Sequence, residues 1–132
     1  MPQPKESIQK IFEDYHRFDD GLIVSFEYFY PEGGALAVKM MFYARNHSLN
    51  ENVWRNVRII MHDVKELNVK VRGNQFQSIS SGVKLLRFED VWCIDVDGVF
   101  TNDEDPATLE EVRELGLCYV VGNDIEAYEL DH

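Results

Sequence analysis

The stretch LIVSFEYFYPEGGALAVKMMFYAR, residues 22–45, decides how this chain is read. Before its turn, Leu22, Val24, Phe26 and Tyr28 alternate with Ser25 and Glu27, the two-residue period of a strand with one buried face. Pro31-Glu32-Gly33-Gly34 is a turn signal, because proline presets φ and glycine admits positive φ. Beyond it, Leu36, Val38, Met40 and Phe42 take up the alternation again as far as Arg45. Two such runs across a glycine-containing turn predict a β-hairpin.

Working outward from the hairpin, Ser7 to His16 places Ile8, Ile11, Phe12 and Tyr15 at the spacing of an amphipathic helix. Residues 1–6 read as a frayed lead-in. On the C-terminal side, Asn46 to Asn52 is a polar loop. Strands are predicted over Val53–His62, Val64–Arg72, Val83–Phe88 and Val91–Val96. Gln75–Ser81 fits either a short helical turn or an irregular edge. Asp105-Pro106 has the form of a helix start, with Leu109, Val112 and Leu115 as the apolar face and Gly116 as the stop. Leu117–Val121 and Ile125–Leu130 read as a closing hairpin around Gly122-Asn123-Asp124. Short connections favour antiparallel pairing. The expected fold is therefore mainly β (α+β), an antiparallel β-sandwich or partly closed barrel with two short edge helices, in one domain spanning residues 1–132.

Composition sets the boundaries of function. With 132 residues, 45% of them hydrophobic, the chain can bury a core without disulfides or structural metal. It carries 24 acidic residues against 13 Lys plus Arg, a formal charge of −11. That charge repels nucleic acid and anionic membranes and favours a basic protein partner. Cys93 and Cys118 each sit in an apolar run and read as small buried hydrophobes. Met1–Lys10 lacks the apolar core of a signal peptide, and no run approaches the length of a membrane span, so a cytoplasmic protein is expected.

Several patterns invite a chemical reading. Trp92 to Thr101 (WCIDVDGVFT) resembles the first motif of haloacid-dehalogenase-type phosphatases. That resemblance implies Asp95 as nucleophile and Asp97 as acid/base, and Gly122-Asn123-Asp124-Ile125-Glu126 resembles the late acidic metal motif of the same family. The family's motif opens a doubly wound parallel domain, whereas here it follows a run of hairpins. Only 37 residues follow Asp95, and no lysine follows Lys84 to clamp a phosphoryl group. The alternative is a strand ending in an Asp-Gly turn. Asp95, Asp97 and residues 102–105 supply oxygen ligands without the spacing of a calcium loop. His16, His47, His62 and His132 form no zinc pattern. No metal and no cofactor is expected.

The whole-chain layout resembles a group of small bacterial proteins, some of them immunity proteins of polymorphic toxin systems. Phe18-Asp19-Asp20-Gly21 stands where those chains have a Phe-His-Asp-type element, with Asp19 in place of the histidine. Trp54-Arg55-Asn56-Val57-Arg58-Ile59, Val64-Lys65-Glu66-Leu67 and Tyr119 to Leu130 carry the rest. The resemblance implies a non-catalytic, protein-binding domain, an immunity-type inhibitor of a basic toxin. Asp103, Glu104, Asp105, Glu110, Glu111 and Glu114 are the expected acidic binding face. The competing readings are a phosphatase-like hydrolase using Asp95 and Asp97, and a small-ligand-binding β-barrel with an aromatic-lined cavity.

Overall fold

The computed structural model of the protein describes residues 5–70, 73, 77–98 and 105–130. Helix α1 (Lys5–Asp14) leads through a 3-10 turn (His16–Phe18) into strands β1 (Leu22–Phe29), β2 (Ala37–Arg45), β3 (Trp54–Val69), β4 (Val83–Phe88) and β5 (Val91–Val96). Helix α2 (Leu109–Leu115) and strand β6 (Cys118–Glu129) complete the described chain. The strands form one antiparallel sheet in the order β1-β2-β3-β6-β5-β4. The mainly β, α+β class is as expected. Among the described residues the strands form a single sheet that does not close, rather than two stacked sheets. One antiparallel bridge, Leu22 with Ser78, ties the β1 edge to the segment that leads into β4.

Among the described residues six strands stand where eight are expected, for one reason. The breaks read at Asp63 and at Gly122-Asn123-Asp124 are not turns. They face each other across the β3–β6 ladder, His62 opposite Asp124 and Val64 opposite Gly122, where the register shifts between Val64 and Glu66. Asp63 takes a φ of 51° there, and Asn123 donates a side-chain hydrogen bond to its carboxylate. A bulge of this kind bends a strand without ending it. A Cβ on Gly122 would lie 2.6 Å from Met61 Cγ and 2.9 Å from the His62 carbonyl oxygen, so the ladder closes only over glycine.

The hairpin of β1 and β2 forms as read, pairing Phe26 with Met40 and Tyr28 with Val38. A register shift between Ile23 and Ser25 exposes Val24 and turns Ile23 and Phe26 to the core. The main core lies between the sheet and the N-terminal segment. Ile8, Phe12, Tyr15 and Phe18 pack on Val38, Met40, Phe42, Val57, Ile59 and Ala127. Helix α1 begins at Lys5, inside the stretch expected to fray. A smaller cluster on the opposite face joins Leu86, Cys93, Tyr119 and Val121 to Val112 of α2. Helix α2 starts later than Asp105-Pro106 suggests. Thr108 is its N-cap, and the Thr108 hydroxyl accepts from the Glu111 N–H at 3.3 Å. Leu115 stays 47% exposed, so the apolar face of α2 is shorter than its spacing implies.

Replacing Gly122 with alanine forces a methyl group against Met61 and the β3 backbone. Gly122→Ala is expected to lower stability by about 1–3 kcal/mol, the usual range for overpacking, read as a lower denaturation midpoint in urea with an unchanged slope. Wild-type stability for this variant would show that the β3–β6 bulge is not closely packed.

Candidate functional site

The expected acidic face is mostly engaged within the fold. Asp105 Oδ1 accepts from Lys84 Nζ at 2.8 Å. Glu110 accepts from the Arg113 guanidinium, whose Nε donates to Glu66 Oε1 at 2.9 Å and so ties α2 to β3. Glu111 Oε1 accepts from the Ala107 N–H at 2.7 Å, which completes the exchange that caps α2. Glu114 is exposed. Asp103 and Glu104 lie outside the described residues. Glu111 is therefore a helix-capping group as well as a charge.

Asp95 and Asp97 have separate duties. Strand β5 pairs antiparallel with β4 on one side and β6 on the other, which is not the parallel setting of the phosphatase motif. Asp97 takes a φ of 50°, and its Oδ1 accepts from the backbone N–H groups of Ser80 at 3.0 Å and Ser81 at 2.5 Å. It fixes the turn entering β4. Asp95 lies in register between Lys84 and Tyr119, is 1% exposed, and has no hydrogen-bond partner among the described residues on either carboxylate oxygen. A Cβ on Gly98 would sit 2.4 Å from Asp95 Oδ2, so glycine is the residue that fits over it. Burial pushes the Asp95 carboxyl up to about 6; the nearby Lys84 ammonium pulls it down and Asp97 pushes it up. Burial also pushes the Cys93 and Cys118 thiols up to about 12, which keeps both protonated and poorly nucleophilic at neutral pH.

An aromatic cluster fills the space between the N-terminal segment and β2. Phe18 lies against Phe12, Tyr15 and Phe42 at ring separations of 5.1, 5.6 and 5.2 Å. Tyr28 and Tyr30 lie at the surface, whereas Phe26 lines a cleft of about 400 Å³ together with Ile23, Val96 and Cys118 among others. Among the described residues, no three His, Cys, Asp or Glu side chains converge as a metal site.

Apart from that smaller cleft, two surfaces stand out. The first is the face of β2, β3 and the C-terminal half of β6 that points away from α1. Because Phe42, Ile59 and Ala127 point inward, alternation puts Met41, Tyr43, Arg58, Ile60 and Tyr128 outward. Met41, Arg58 and Tyr128 form one cross-strand row, and the rings of Tyr43 and Trp54 lie 5.5 Å apart with their planes tilted by 34°. No helix among the described residues makes extensive contact with this patch. The second is a cleft of about 650 Å³ beside α1, the 3-10 turn and β4, lined by Phe12, Glu13, His16, Arg17, Asp19 and Leu85 among others. The residues that shape these surfaces carry no motif. Only the strand alternation could have pointed to the first, and only the Phe18-Asp19 resemblance touched the second.

No protein-family model, no curated protein and no solved structure matches the chain significantly.

Asp95 supplies a pH test. Its folded pKa, about 6, lies above the ordinary value of 3.8, so the charged form opposes folding above pH 6 and the penalty fades as pH falls through 6 toward 4. Asp95→Asn is expected to stabilise the protein at pH 8 by up to about 3 kcal/mol, since each pK unit is worth about 1.36 kcal/mol. The gain should disappear by about pH 4, as the linkage requires. Denaturation midpoints of both proteins across that range check it. A variant less stable than wild type at pH 8 would mean that Lys84 offsets the burial of the carboxylate.

Proposed function

We propose that the protein is a non-catalytic binding domain for a basic protein, acting in the cytoplasm as an immunity-type inhibitor of a toxin. The observation that carries this reading is the open sheet face. Tyr, Trp, Met and Arg are the residue types enriched where proteins meet, and here Met41, Tyr43, Trp54, Arg58 and Tyr128 lie together on rigid strands. A flat, prepositioned array of this kind loses little side-chain entropy when a partner covers it. Helix α2 lies on the same side of the sheet, away from α1, and brings Glu110 and Glu114 with it. The net charge of −11 favours encounter with a basic surface, and complementary charge acts more on association rate than on final affinity.

The duties found for the carboxylates support the same reading. Asp97 holds a turn, and Asp95 is sealed beneath Gly98. Neither presents an oxygen to a substrate beside the other, as a nucleophile and its acid/base partner must.

The test is a binding titration against the protein encoded beside this one, combined with growth rescue where that protein is toxic. Tyr43→Ala and Arg58→Ala should each weaken the complex about tenfold or more, as anchor residues do. Glu110→Gln with Glu114→Gln, which spares the cap made by Glu111, should slow association about two- to tenfold at low salt and flatten its salt dependence. Complex formation with unchanged affinity in Tyr43→Ala and Arg58→Ala would remove the sheet face as the binding surface.

A further inference from the structure

A buried lysine and a buried aspartate lie side by side across β4 and β5 and are not joined. Lys84 and Asp95 are register partners, so their side chains leave the sheet together, on the face that α2 covers. Lys84 is 4% exposed and Asp95 is 1% exposed. Yet the Lys84 ammonium donates at 2.8 Å to Asp105, whose side chain is 64% exposed. Both Asp95 oxygens are left without a hydrogen-bond partner among the described residues. The buried ammonium thus serves the exposed carboxylate and not the buried one. An ionised Asp95 would be a buried charge with no partner in contact, which is costly. The arrangement fits a neutral Asp95, and the rise of its carboxyl to about 6, caused first by burial, agrees with that.

The pair lies under both ends of one stretch of chain, residues 105–116. Asp105 opens that stretch on Lys84, and Gly116 ends it as the C-cap of α2. A Cβ on Gly116 would lie 3.4 Å from Asp95 Oδ1, so the end of α2 rests close to the carboxyl. The other ionisable groups around Asp95 have settled states. Cys93 of β5 and Cys118 and Tyr119 of β6 are pushed up to about 12, mainly by burial, and stay protonated at neutral pH. Asp97 accepts from the Ser80 and Ser81 N–H groups. Glu66 of β3 accepts from Tyr119 and Arg113. On α2, Glu110 accepts from Arg113, Glu111 accepts from the Ala107 N–H, and Glu114 is exposed. Lys84 is the cation next to Asp95, and it already lowers the cost of ionising that carboxyl from where it stands.

We propose that Lys84 is the moving part of a proton-operated latch on residues 105–116. With Asp95 neutral, the ammonium holds Asp105 and fixes the start of the segment to β4. When Asp95 gives up its proton to solvent, the ammonium turns to the carboxylate beside it. Asp105 then loses its partner, and the stretch that carries α2 loosens. The exchange replaces an ion pair to an exposed group, which is worth little, with one that compensates a buried charge. It also draws the titration of Asp95 down from about 6 toward the ordinary 3.8. Because α2 bears Glu110 and Glu114, the latch sets how firmly those charges are held. It is a property of the fold, needs no bound partner, and stands apart from the sheet-face reading.

The experiment is an NMR titration of the whole protein from about pH 3 to about pH 8. It follows the carboxyl carbons of Asp95 and Asp105, and the amide shifts and hydrogen-exchange protection factors of residues 107–116. The amide shifts are expected to move with the Asp95 carboxyl carbon, at the same midpoint. Above that midpoint the protection factors should fall about two- to fivefold, as the loss of one partly exposed ion pair allows. Asp95→Asn, a neutral isostere, should keep the segment in its low-pH state throughout. Asp105→Asn, at an exposed position, should keep it in its high-pH state while Asp95 still titrates, with a lower midpoint because Lys84 is free to turn. An Asp95 carboxyl that does not titrate, or one that titrates while the 107–116 amides stay unmoved, would overturn the latch. So would a segment transition that persists in Asp95→Asn or in Asp105→Asn. Should Asp95→Asn fail to fold, the wild-type titration and Asp105→Asn decide alone. None of these measurements bears on Tyr43 or Arg58, so failure here leaves the sheet-face reading to its own test.

Discussion

The pairing of β3 with β6 is the constraint on which the rest of the molecule depends. These are the two longest strands, and they run together from Val57–Glu129 to Val69–Cys118 at the centre of the sheet. Without the bulge at Asp63 and Gly122, strands of this length would have to keep a single twist throughout. With it, the ladder bends and offers two different environments. The Val57–Met61 half turns its apolar side chains to α1, and the Glu66–Val69 half leads to the contacts with α2. Helix α1 is fixed on the first half by a polar clasp at the end of β6. There Tyr15 donates to Glu129 at 2.5 Å, Asn46 donates to it at 3.1 Å and Arg55 at 2.6 Å. Three donors on one carboxylate hold the helix against the sheet in a way that apolar packing alone does not specify.

That docking is also what makes the strained turn possible. A left-handed run from His16 to Phe18 would relax if Phe18 had anywhere else to go. It has not, because Phe12 from α1, Tyr15 just beyond it and Phe42 from β2 close around it. Gly21 then lets the chain pass directly over β2, where a Cβ would meet the Phe18 and Tyr43 carbonyl oxygens and the Ala44 methyl at 2.9 to 3.0 Å. The Phe18-Asp19-Asp20-Gly21 element thus has a mechanical explanation. Phenylalanine is the anchor, glycine permits the close crossing, and the aspartates lie between two fixed points. Their positions are set by the backbone rather than by their own contacts.

Much of the fold was legible in the sequence because it rests on local rules. Each of the six described strands overlaps a run read as strand, and the Pro-Glu-Gly-Gly turn located the first hairpin. The errors came where local rules give the same signal for different structures. An Asn-Asp pair after glycine looks like a hairpin turn, and here it lies opposite a bulge; only the partner strand decides which. The helix start at Asp105-Pro106 lost to Thr108 and Glu111 because a capping exchange satisfies more backbone donors than a proline alone. The candidate sites were less legible for a different reason. The outward rows of the sheet follow from register, which the sequence of one strand does not contain. The cleft depends on positive φ at His16, Arg17 and Phe18, and glycine, the usual signal for it, stands at none of the three. Tertiary packing imposed that conformation.

The acidic character of the chain also means something different once the fold is known. Read along the sequence, Asp95 to Glu114 looks like one negative segment. In the molecule its members divide by burial and by partner. Asp95 is a buried charge beside Lys84, Asp97 and Glu111 are backbone caps, and Asp105 and Glu110 neutralise a lysine and an arginine. A carboxylate that already accepts a hydrogen bond from a fixed donor has little left to offer a partner, although its charge still contributes to the long-range field. Steering and recognition therefore belong to different residues. The field comes from the whole excess of acids, and it acts over distances comparable with the screening length of about 8 Å at physiological salt. Recognition at contact distance needs groups whose hydrogen-bonding capacity remains open and whose position is fixed before binding. The outward row of Met41, Arg58 and Tyr128 has its position set in that way, by the register of three paired strands.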